Sequence, residues 1–531
     1  MQDQCPADNY LDMPSDTLQT DLSIDPARGE PVYQQIATQL IDEIERGDLG
    51  PGARLPAIRK LASRLGLHRD TVALAYEHLA NAGWVEARVG AGTFVSFSPR
   101  AGGAKASAST SPSTRGSNST DEPTREVELV LAPQVERLIV LDNTRPRYAT
   151  GDDVVALHRL IPDPRFYPVE EFRECIDAAI REEGPALFSY ASPEGDPRLR
   201  RAMAGLFQAH GITRSADELV LCHGASQGIS LVLRLFAQSG DQIAVEVPTY
   251  ANVLSAFAGL GLTAAPVPMD ADGAEPEALD RLLAKPEVKA FYTIPSFHNP
   301  LGTTTPLHRR REILEIAARH GVPVIEDGFE LDLQFQGEVI PPLAALDEWD
   351  IVVLLGSFSK SLFPGVRVGS ISARGRALEG LAALKHATDL SDALPLQAGL
   401  TRFVESGAYD RHLTRMRKLL RKRHAAMNAA LEAHMPEGTT WTRPDGGYQL
   451  WVELPHEVDT RDLLPDAARE GVLFSPGALF MPDARPSRGM RLTVACADEE
   501  EIERGVAALG RVARASRAAL PGVGRSAGMH L

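Results

Sequence analysis

The sequence predicts an α/β protein with a mainly parallel sheet, preceded by a small winged helix-turn-helix domain. Two observations lead to this fold class. Three helical patterns and a hairpin pattern occupy residues 22–97, and from about residue 127 short apolar runs alternate with helical patterns. Buried strands that alternate with helices are typical of a parallel sheet covered on both faces. A chain of 531 residues has room for about three folding units.

The N-terminal patterns follow one another closely. Apolar residues recur at helical spacing from Pro31 to Gly47, and LPAIRKLASRLG and DTVALAYEHLANAG contain two further helical patterns separated by a short turn. WVEARVGAGTFVSF then alternates around Gly90 and Gly92, as two strands joined by a tight turn do. This order is typical of a winged helix-turn-helix, a domain that places one helix in the major groove of DNA.

A basic cluster lies inside this predicted domain, although the whole chain has a net charge of −16. Between Gly52 and Val72, five lysines and arginines accompany a single acid, Asp70. An acidic chain does not coat nucleic acid through its overall field, so any contact with DNA has to be local. The alternative interpretation of the cluster is an ordinary solvated helix face.

A segment without apolar periodicity separates the two predicted domains. It consists mostly of Ser, Thr, Ala, Gly and Pro, which form no core. The predicted organisation is a flexible tail at 1–21, the winged helix-turn-helix domain at 22–97, a flexible linker at 98–126, the large domain at 127–512 and a second flexible tail at 513–531.

Several classes of protein are excluded by composition. No apolar run reaches the roughly 18 residues that span a bilayer, and the start MQDQCPADNY lacks the basic and apolar regions of a signal peptide. The four cysteines lie far apart without a C-x-x-C pair, which argues against a zinc site or a disulfide framework. We expect a cytoplasmic protein with reduced thiols, no bound metal and no membrane partner.

Polar groups follow several of the apolar runs, at the strand ends where open α/β sheets bind ligands. After ELVLC, the small residues of HGAS open a helix, and their free N–H groups suit a phosphate; tight packing is the alternative. Asp327 ends the run VPVIE, where a carboxylate needs a cationic or hydrogen-bonding partner or else caps a helix.

The segment IVVLLGSFSKSLFPGVRVG is the most informative. A strand delivers Lys360 to its carboxyl end among Ser357, Ser359 and Arg367. An amine nucleophile has to lose its proton, and burial beside other cations lowers the pKa of a lysine toward neutrality. The hydroxyls and the guanidinium group suit a phosphate.

Two further polar residues stand in unusual positions. Asn299 lies in the turn HNPLG, where its amide suits a phenolic oxygen, although Asn-Pro is common in turns without function. Arg491 lies within the apolar run GMRLTVAC. A buried arginine needs an anionic partner, either a ligand carboxylate or a structural salt bridge.

These segments, in this order, resemble the fold type I aminotransferases, and the whole chain is similar to the MocR subfamily of GntR-type transcriptional regulators. PGARLPAIRKLASRLGLHRDTVALAYEHLANAGW and RVGAGTFV carry the first half of the resemblance, and HNPLG, IEDGFE and SFSKSLFPGVRVG the second. The match covers about residues 30–512. It implies a PLP-dependent transferase domain with a smaller C-terminal α+β subdomain, pyridoxal 5'-phosphate (PLP) as the cofactor, a homodimer and a DNA operator as partner.

The resemblance also implies roles for individual residues. Lys360 would join PLP as a Schiff base, and Asp327 would pair with the protonated pyridine nitrogen, which keeps the ring an electron sink. The other implied roles are ring contacts from Asn299 and Tyr250, phosphate contacts from Ala225, Ser226, Ser357, Ser359 and Arg367, a phosphate contact in the partner subunit from Tyr190, a ligand carboxylate contact from Arg491, and DNA contacts from Arg54, Arg59, His68, Arg69, Thr71 and Thr93.

Three positions depart from the family pattern. Phe329 stands where the family commonly has Tyr, and the lost hydroxyl is expected to raise the pKa of the Schiff base and to weaken transamination. Ala57 and His68 stand where Ser is usual in the winged helix, which weakens the cap of the recognition helix.

Three functions remain open from the sequence. The first is a PLP-dependent transcriptional regulator that senses an amino-acid-like or amine ligand, or PLP itself. The second is an active aminotransferase with an appended DNA-binding domain, and the third is a DNA-binding dimer in which PLP is only structural. The basic winged helix favours the transcriptional regulator, because transamination alone does not require a DNA-binding domain. The effector, the operator, the direction of regulation and turnover with Phe329 are not determined by the sequence.

Overall fold

The structure is a computed structural model in which the chain separates between residues 126 and 127 into two compact units. The described residues of the first unit are 22, 32–46, 49, 53, 55–56, 58–65, 67, 71–73, 75–76, 79, 84–88 and 92–95, and those of the second unit are 131–144 and 153–518.

The first unit contains helices followed by a hairpin. Its bounded elements are α1 (Val32–Glu45), α2 (Ile58–Leu65), β1 (Val85–Arg88) and β2 (Gly92–Val95), and residues 71–73, 75–76 and 79 are also helical. The two strands pair antiparallel, with Val85 opposite Val95. Ile36, Leu61 and Trp84 come from different elements and are buried in one apolar cluster.

The second unit contains strands and helices in alternation. Its strands are β3 (Val155–Ala156), β4 (Leu219–Cys222), β5 (Gln242–Val247), β6 (Thr263–Asp270), β7 (Gly273–Ala274), β8 (Val288–Thr293), β9 (Val324–Asp327), β10 (Val352–Ser357), β11 (Gly369–Ser372), β12 (Thr440–Trp441), β13 (Gln449–Glu453), β14 (Val472–Leu473), β15 (Ser475–Pro476) and β16 (Gly489–Thr493). Its helices are α3 (Pro133–Thr144), α4 (Val169–Glu183), α5 (Pro197–Gln208), α6 (Ala225–Phe236), α7 (Ala251–Leu260), α8 (Pro276–Leu283), α9 (Leu307–His320), α10 (Leu343–Leu346), α11 (Phe358–Ser361), α12 (Gly375–Asp389), α13 (Leu394–Glu405), α14 (Ala408–His434), α15 (Leu464–Arg469) and α16 (Glu499–Ala518).

A large sheet lies at the centre of this unit. Within residues 153–518 its eight strands are ordered β4-β11-β10-β9-β8-β5-β6-β7. Strands β10, β9, β8, β5 and β6 run parallel to one another, whereas β11 and the short β7 run antiparallel to their neighbours. The prediction of a mainly parallel sheet is confirmed.

Both faces of the sheet are covered, which explains the unbroken apolar runs in the sequence. In β10, Val352 and Leu354 pack into one buried cluster, while Val353 and Leu355 pack into the other. Because side chains alternate along a strand, a strand buried on both faces is apolar at most of its positions.

The C-terminal part forms the predicted smaller α+β subdomain. Its sheet has the order β12-β13-β16-β15 and is antiparallel throughout. Helix α16 continues to Ala518 and so enters the segment predicted as a tail at 513–531. Val512 and Ala513 are buried, which holds the helix against the core beyond the predicted boundary.

Among the described residues, no helix combines the length and the apolarity that crossing a membrane requires.

Candidate functional site

A cleft of about 420 Å³ lies where the predicted strand-end residues come together. All residues predicted to contact PLP or a ligand, except Tyr190, line it. The lining residues are Leu160, Ala225, Ser226, Tyr250, Ala251, Asn252, Ile294, Asn299, Asp327, Phe329, Ser357, Ser359, Lys360, Pro364, Arg367, Ser475, Leu479, Phe480 and Arg491.

Asp327 is the last residue of β9 and is only 2% exposed. Its Oδ2 accepts a hydrogen bond of 2.6 Å from the Tyr292 hydroxyl, whereas its buried Oδ1 accepts no hydrogen bond within the described part of the chain. Burial raises the pKa of Asp327 to about 6, although the Tyr292 hydroxyl, the Phe329 backbone N–H and the charge of Lys360 oppose this rise. A buried carboxylate with an open acceptor atom fits the cationic N–H of an aromatic ring.

Lys360 lies on the short helix α11, directly after β10. Its Nζ donates to the carbonyl oxygen of Leu160, and the Tyr448 hydroxyl donates 2.8 Å to the carbonyl oxygen of Lys360 itself. Desolvation lowers the pKa of Lys360 to about 8; the Glu330 carboxylate opposes this, and Arg491 adds to it. An amine with this pKa is partly uncharged near neutral pH and available as a nucleophile.

A group of donors converges at one end of the cleft. Helix α6 starts after Gly224, whose φ of 78° favours glycine, and a Cβ there would lie 3.0 Å from Nη2 of Arg367. Nη2 of Arg367 donates a hydrogen bond of 2.6 Å to the carbonyl oxygen of His223. The Ser357 Oγ accepts a hydrogen bond of 3.1 Å from the Ser359 N–H. A helix N-terminus, two hydroxyls and a guanidinium group together suit a phosphate.

Arg491 and Asn299 meet at the opposite side. Arg491 lies in β16, and its Nη1 donates 3.0 Å to Oδ1 of Asn299. Its Nη2 donates 2.9 Å to the carbonyl oxygen of His158, and its guanidinium carbon lies 5.0 Å from the ring centroid of Phe480. These contacts hold the guanidinium group at the cleft, where a ligand carboxylate can reach it.

Several lining residues were not predicted. Asn252 and Ile294 adjoin the motifs around Tyr250 and Asn299, so their neighbourhood in the sequence was a usable signal. Leu160, Ser475, Leu479 and Phe480 come from segments far from every motif. Only the fold brings these four residues to the cleft.

The chain matches two protein families. Residues 166–509 match the family Aminotransferase class I and II, and residues 32–95 match Bacterial regulatory proteins, gntR family. The uncharacterized HTH-type transcriptional regulator YdcR of Escherichia coli is 30% identical over 90% of this chain and 98% of its own. The probable rhizopine catabolism regulatory protein MocR of Rhizobium meliloti is 27% identical over 90% and 93%. The chain belongs to the MocR-type transcriptional regulators.

The large domain of this MocR-type regulator is similar to solved aminotransferases. LysN, the α-aminoadipate aminotransferase of Thermus thermophilus, solved with N-(5'-phosphopyridoxyl)-L-leucine, superposes with a TM-score of 0.65 at 30% identity, covering 73% of this chain and 96% of LysN. The predictions of the family and of an aminotransferase fold type I domain behind a GntR-type winged helix are confirmed. Aminotransferases of class I and II typically bind PLP.

The residues of the MocR-type regulator that were predicted to contact DNA are only partly described. Thr71 is helical and Thr93 lies in β2, and both are half-buried. The carbonyl oxygen of Thr93 accepts 2.8 Å from the Leu55 N–H. Arg54, His68, Arg69 and the side chain of Arg59 lie outside the described residues.

Tyr190 is the one residue predicted to contact PLP that does not line the cleft. Its side chain is 82% exposed, and the nearby Phe188 is 68% exposed.

Proposed function

We propose that this MocR-type regulator binds PLP in the cleft and uses it to detect an amino-acid-like or amine ligand, which changes the affinity of the GntR-type domain for a DNA operator. The observation that carries the proposal is the presence, in one cleft, of the open acceptor atom of Asp327 and the amine of Lys360 with its lowered pKa.

The residues present fit the cofactor. PLP, when bound, supplies an electrophilic carbonyl group and an electron-withdrawing ring. Asp327 would hold the ring nitrogen through Oδ1, Asn299 the ring oxygen, and Tyr250 one face of the ring. The N–H groups of Ala225 and Ser226, together with Ser357, Ser359 and Arg367, would hold the phosphate.

Lys360 would bind the cofactor covalently, and an amine ligand would displace this lysine. Its lowered pKa lets the amine exist without a proton, which attachment requires. Once displaced, the same Nζ can take up a proton from the ligand. Arg491 would orient the ligand by its carboxylate.

A second candidate function is turnover as an aminotransferase. The complete set of Lys360, Asp327, Asn299 and Arg491 in one cleft favours it. Phe329 lines the same cleft without a hydroxyl that would support Asn299 at the ring oxygen. We therefore rank detection of the amine above catalysis.

We also propose that the regulator acts as a homodimer in which Tyr190 reaches the PLP phosphate of the partner subunit. The exposure of Phe188, Tyr190 and Leu390 in the single chain supports this, because large side chains gain most from burial at an interface.

The test combines absorbance with operator binding. The purified full-length protein should show the visible absorbance band of a lysine-bound cofactor, and added amines should change both the band and the operator affinity. Lys360→Ala should abolish both responses, whereas Lys422→Ala, a change at an exposed lysine on α14, should preserve them. Operator affinity that is the same with and without PLP and amines would overturn the sensing function, and rapid multiple turnover would favour the enzyme.

A further inference from the structure

The charged groups that line the cleft are all accounted for by the proposed function. Among the described lining residues they are Asp327, Lys360, Arg367 and Arg491. The first three serve the cofactor: its ring nitrogen, its carbonyl group and its phosphate. Arg491 then serves one carboxylate of the ligand. No lining charge within the described part of the chain is left for a charged ligand side chain.

The remaining wall of the cleft is mostly apolar. Leu160, Ile294, Pro364, Leu479 and Phe480 contribute it. Such a wall stabilises an apolar group by removing it from water, at about 25 cal/mol for each Å² buried.

Phe480 is fixed next to the guanidinium group of Arg491. Its ring contacts the Trp451 ring edge-on, with the ring centroids 5.9 Å apart. The backbone carbonyl oxygen of Phe480 accepts a hydrogen bond of 2.9 Å from the Thr249 N–H. The Arg491 guanidinium carbon lies 5.0 Å from the Phe480 centroid. The guanidinium group that would hold the ligand carboxylate therefore adjoins the apolar part of the wall.

The uncharged polar groups on this side already have protein partners. Nδ2 of Asn252 donates 2.8 Å to the Tyr250 hydroxyl. The Ser475 Oγ accepts 3.2 Å from Nη2 of Arg491. A second carboxylate or an ammonium group on the ligand would have to displace these contacts or stay unpaired in a partly buried place, which is costly.

We infer that the ligand is an amino acid with one carboxylate and an uncharged, largely apolar side chain that packs against Leu479 and Phe480. This inference rests on the proposed function, because Arg491 and the three other charges are assigned by it. It narrows the ligand from any amine to one chemical class.

The first test compares ligands of nearly equal shape and different charge. The full-length protein with PLP bound is titrated with norleucine against lysine, and with glutamine against glutamate, as both enantiomers, by calorimetry and by the change in the visible band. Norleucine should bind at least about tenfold more tightly than lysine, and glutamine more tightly than glutamate, since each charged partner buries an unpaired charge. Tighter binding of lysine or glutamate would overturn the inference.

The second test introduces a positive charge into the apolar lining of the cleft by substitution. Leu479→Arg should raise the affinity for glutamate about tenfold or more relative to norleucine, because it supplies the missing partner. Met481→Arg is the matched control, since Met481 follows two residues later and, unlike Leu479, does not line the cleft; it should leave the preference unchanged. Equal preferences in the two variants would overturn the inference; if Leu479→Arg does not fold, the titrations of the unaltered protein decide.

Different results would contradict the detection of an amine through PLP and the apolar class of the ligand. A protein without the visible band, or with a band that no amine perturbs, would overturn the proposed function and the inference together. A band that charged amino acids perturb at the lower concentration would leave the proposed function intact and overturn only the apolar class of ligand.

Discussion

Two lysines of the large domain, Lys360 and Lys385, are both removed from bulk solvent but have opposite surroundings. Lys385 lies on α12, is 0% exposed, and its Nζ donates 2.9 Å to Asp389 and 2.6 Å to Asp392. Burial lowers the pKa of Lys385, but the hydrogen bonds to the two carboxylates outweigh this, so the pKa lies above its usual value. For Lys360 the balance is reversed, and its pKa falls to about 8.

The acids show the same contrast. Asp392 accepts a further 2.9 Å hydrogen bond from Nε2 of Gln397, and Asp389 accepts 2.8 Å from Nε2 of Gln227. Asp327 and Asp389 each keep one buried oxygen without a donor among the described residues, but the other oxygen of Asp389 pairs with Lys385, whereas that of Asp327 accepts from the uncharged Tyr292 hydroxyl. We therefore expect the ion-pair cluster around Lys385 to support the fold, and the open acceptor atom of Asp327, which lines the cleft, to be available to a ligand. Stability measurements on the cofactor-free protein can test this comparison.

The largest effect is expected from the two lysines themselves. Lys385→Met should lower the free energy of unfolding by about 3–5 kcal/mol, because the buried carboxylate of Asp392 and the half-buried carboxylate of Asp389 lose their lysine partner and keep His223 as a neighbour. Lys360→Met should not lower it, since a charge there is disfavoured already. Urea unfolding of the two variants measures both, with Lys422→Met as the exposed control. Equal losses in the two variants would break the comparison.

A smaller effect of opposite sign is expected at the open acid. Asp327→Asn removes a carboxylate that is costly in the cofactor-free state, so the free energy of unfolding at pH 7 should rise by up to about 3 kcal/mol. The same variant should bind PLP more weakly, because it loses the partner of the ring nitrogen. Thermal unfolding and cofactor titration check the two halves, and a loss of stability without cofactor would contradict the prediction.

The gain from Asp327→Asn should depend on pH. The folded-state pKa of about 6 lies above the ordinary value of 3.8, so the folded protein binds this proton more tightly than the unfolded chain. Asp327 therefore contributes stability below pH 3.8 that is lost as the pH rises to about 6. The difference between the variant and the unaltered protein should be small near pH 4 and constant above pH 6. If the difference in free energy of unfolding does not change with pH, the raised pKa of Asp327 is not its cause.

The smallest effect on stability is expected at Phe329. Phe329→Tyr adds a hydroxyl in the cleft that Asn299 also lines, and it should change the free energy of unfolding by less than about 1 kcal/mol. It should shift the pH at which the visible band of bound PLP changes to a lower value, and speed the half-reaction with amino acids. A spectroscopic pH titration measures the shift, and an unchanged midpoint would show that the missing hydroxyl does not control the pKa of the bound cofactor.

Much of the site was predictable because parallel strands end at one edge of the sheet. Asp327, Asn299 and Lys360 each follow an apolar run, and the fold brings them to one cleft as expected. The partner of Asp327, Tyr292, was missed because it stands within a strand and has no signal beyond its apolar neighbours. Lys385 was missed for a similar reason: a lysine within a helical pattern is usually exposed.

Sequence patterns were sufficient to predict the α/β class, the winged helix before it, and the polar residues after strand ends that line the cleft. These depend on local periodicity and on residues adjacent to strand ends. Only the tertiary structure decided that Phe480 and Arg491 lie side by side, that Lys385 is paired with two carboxylates while Lys360 is not, and that α16 continues to Ala518. Each of these depends on contacts between segments distant in the chain, and burial and pairing are properties of such contacts.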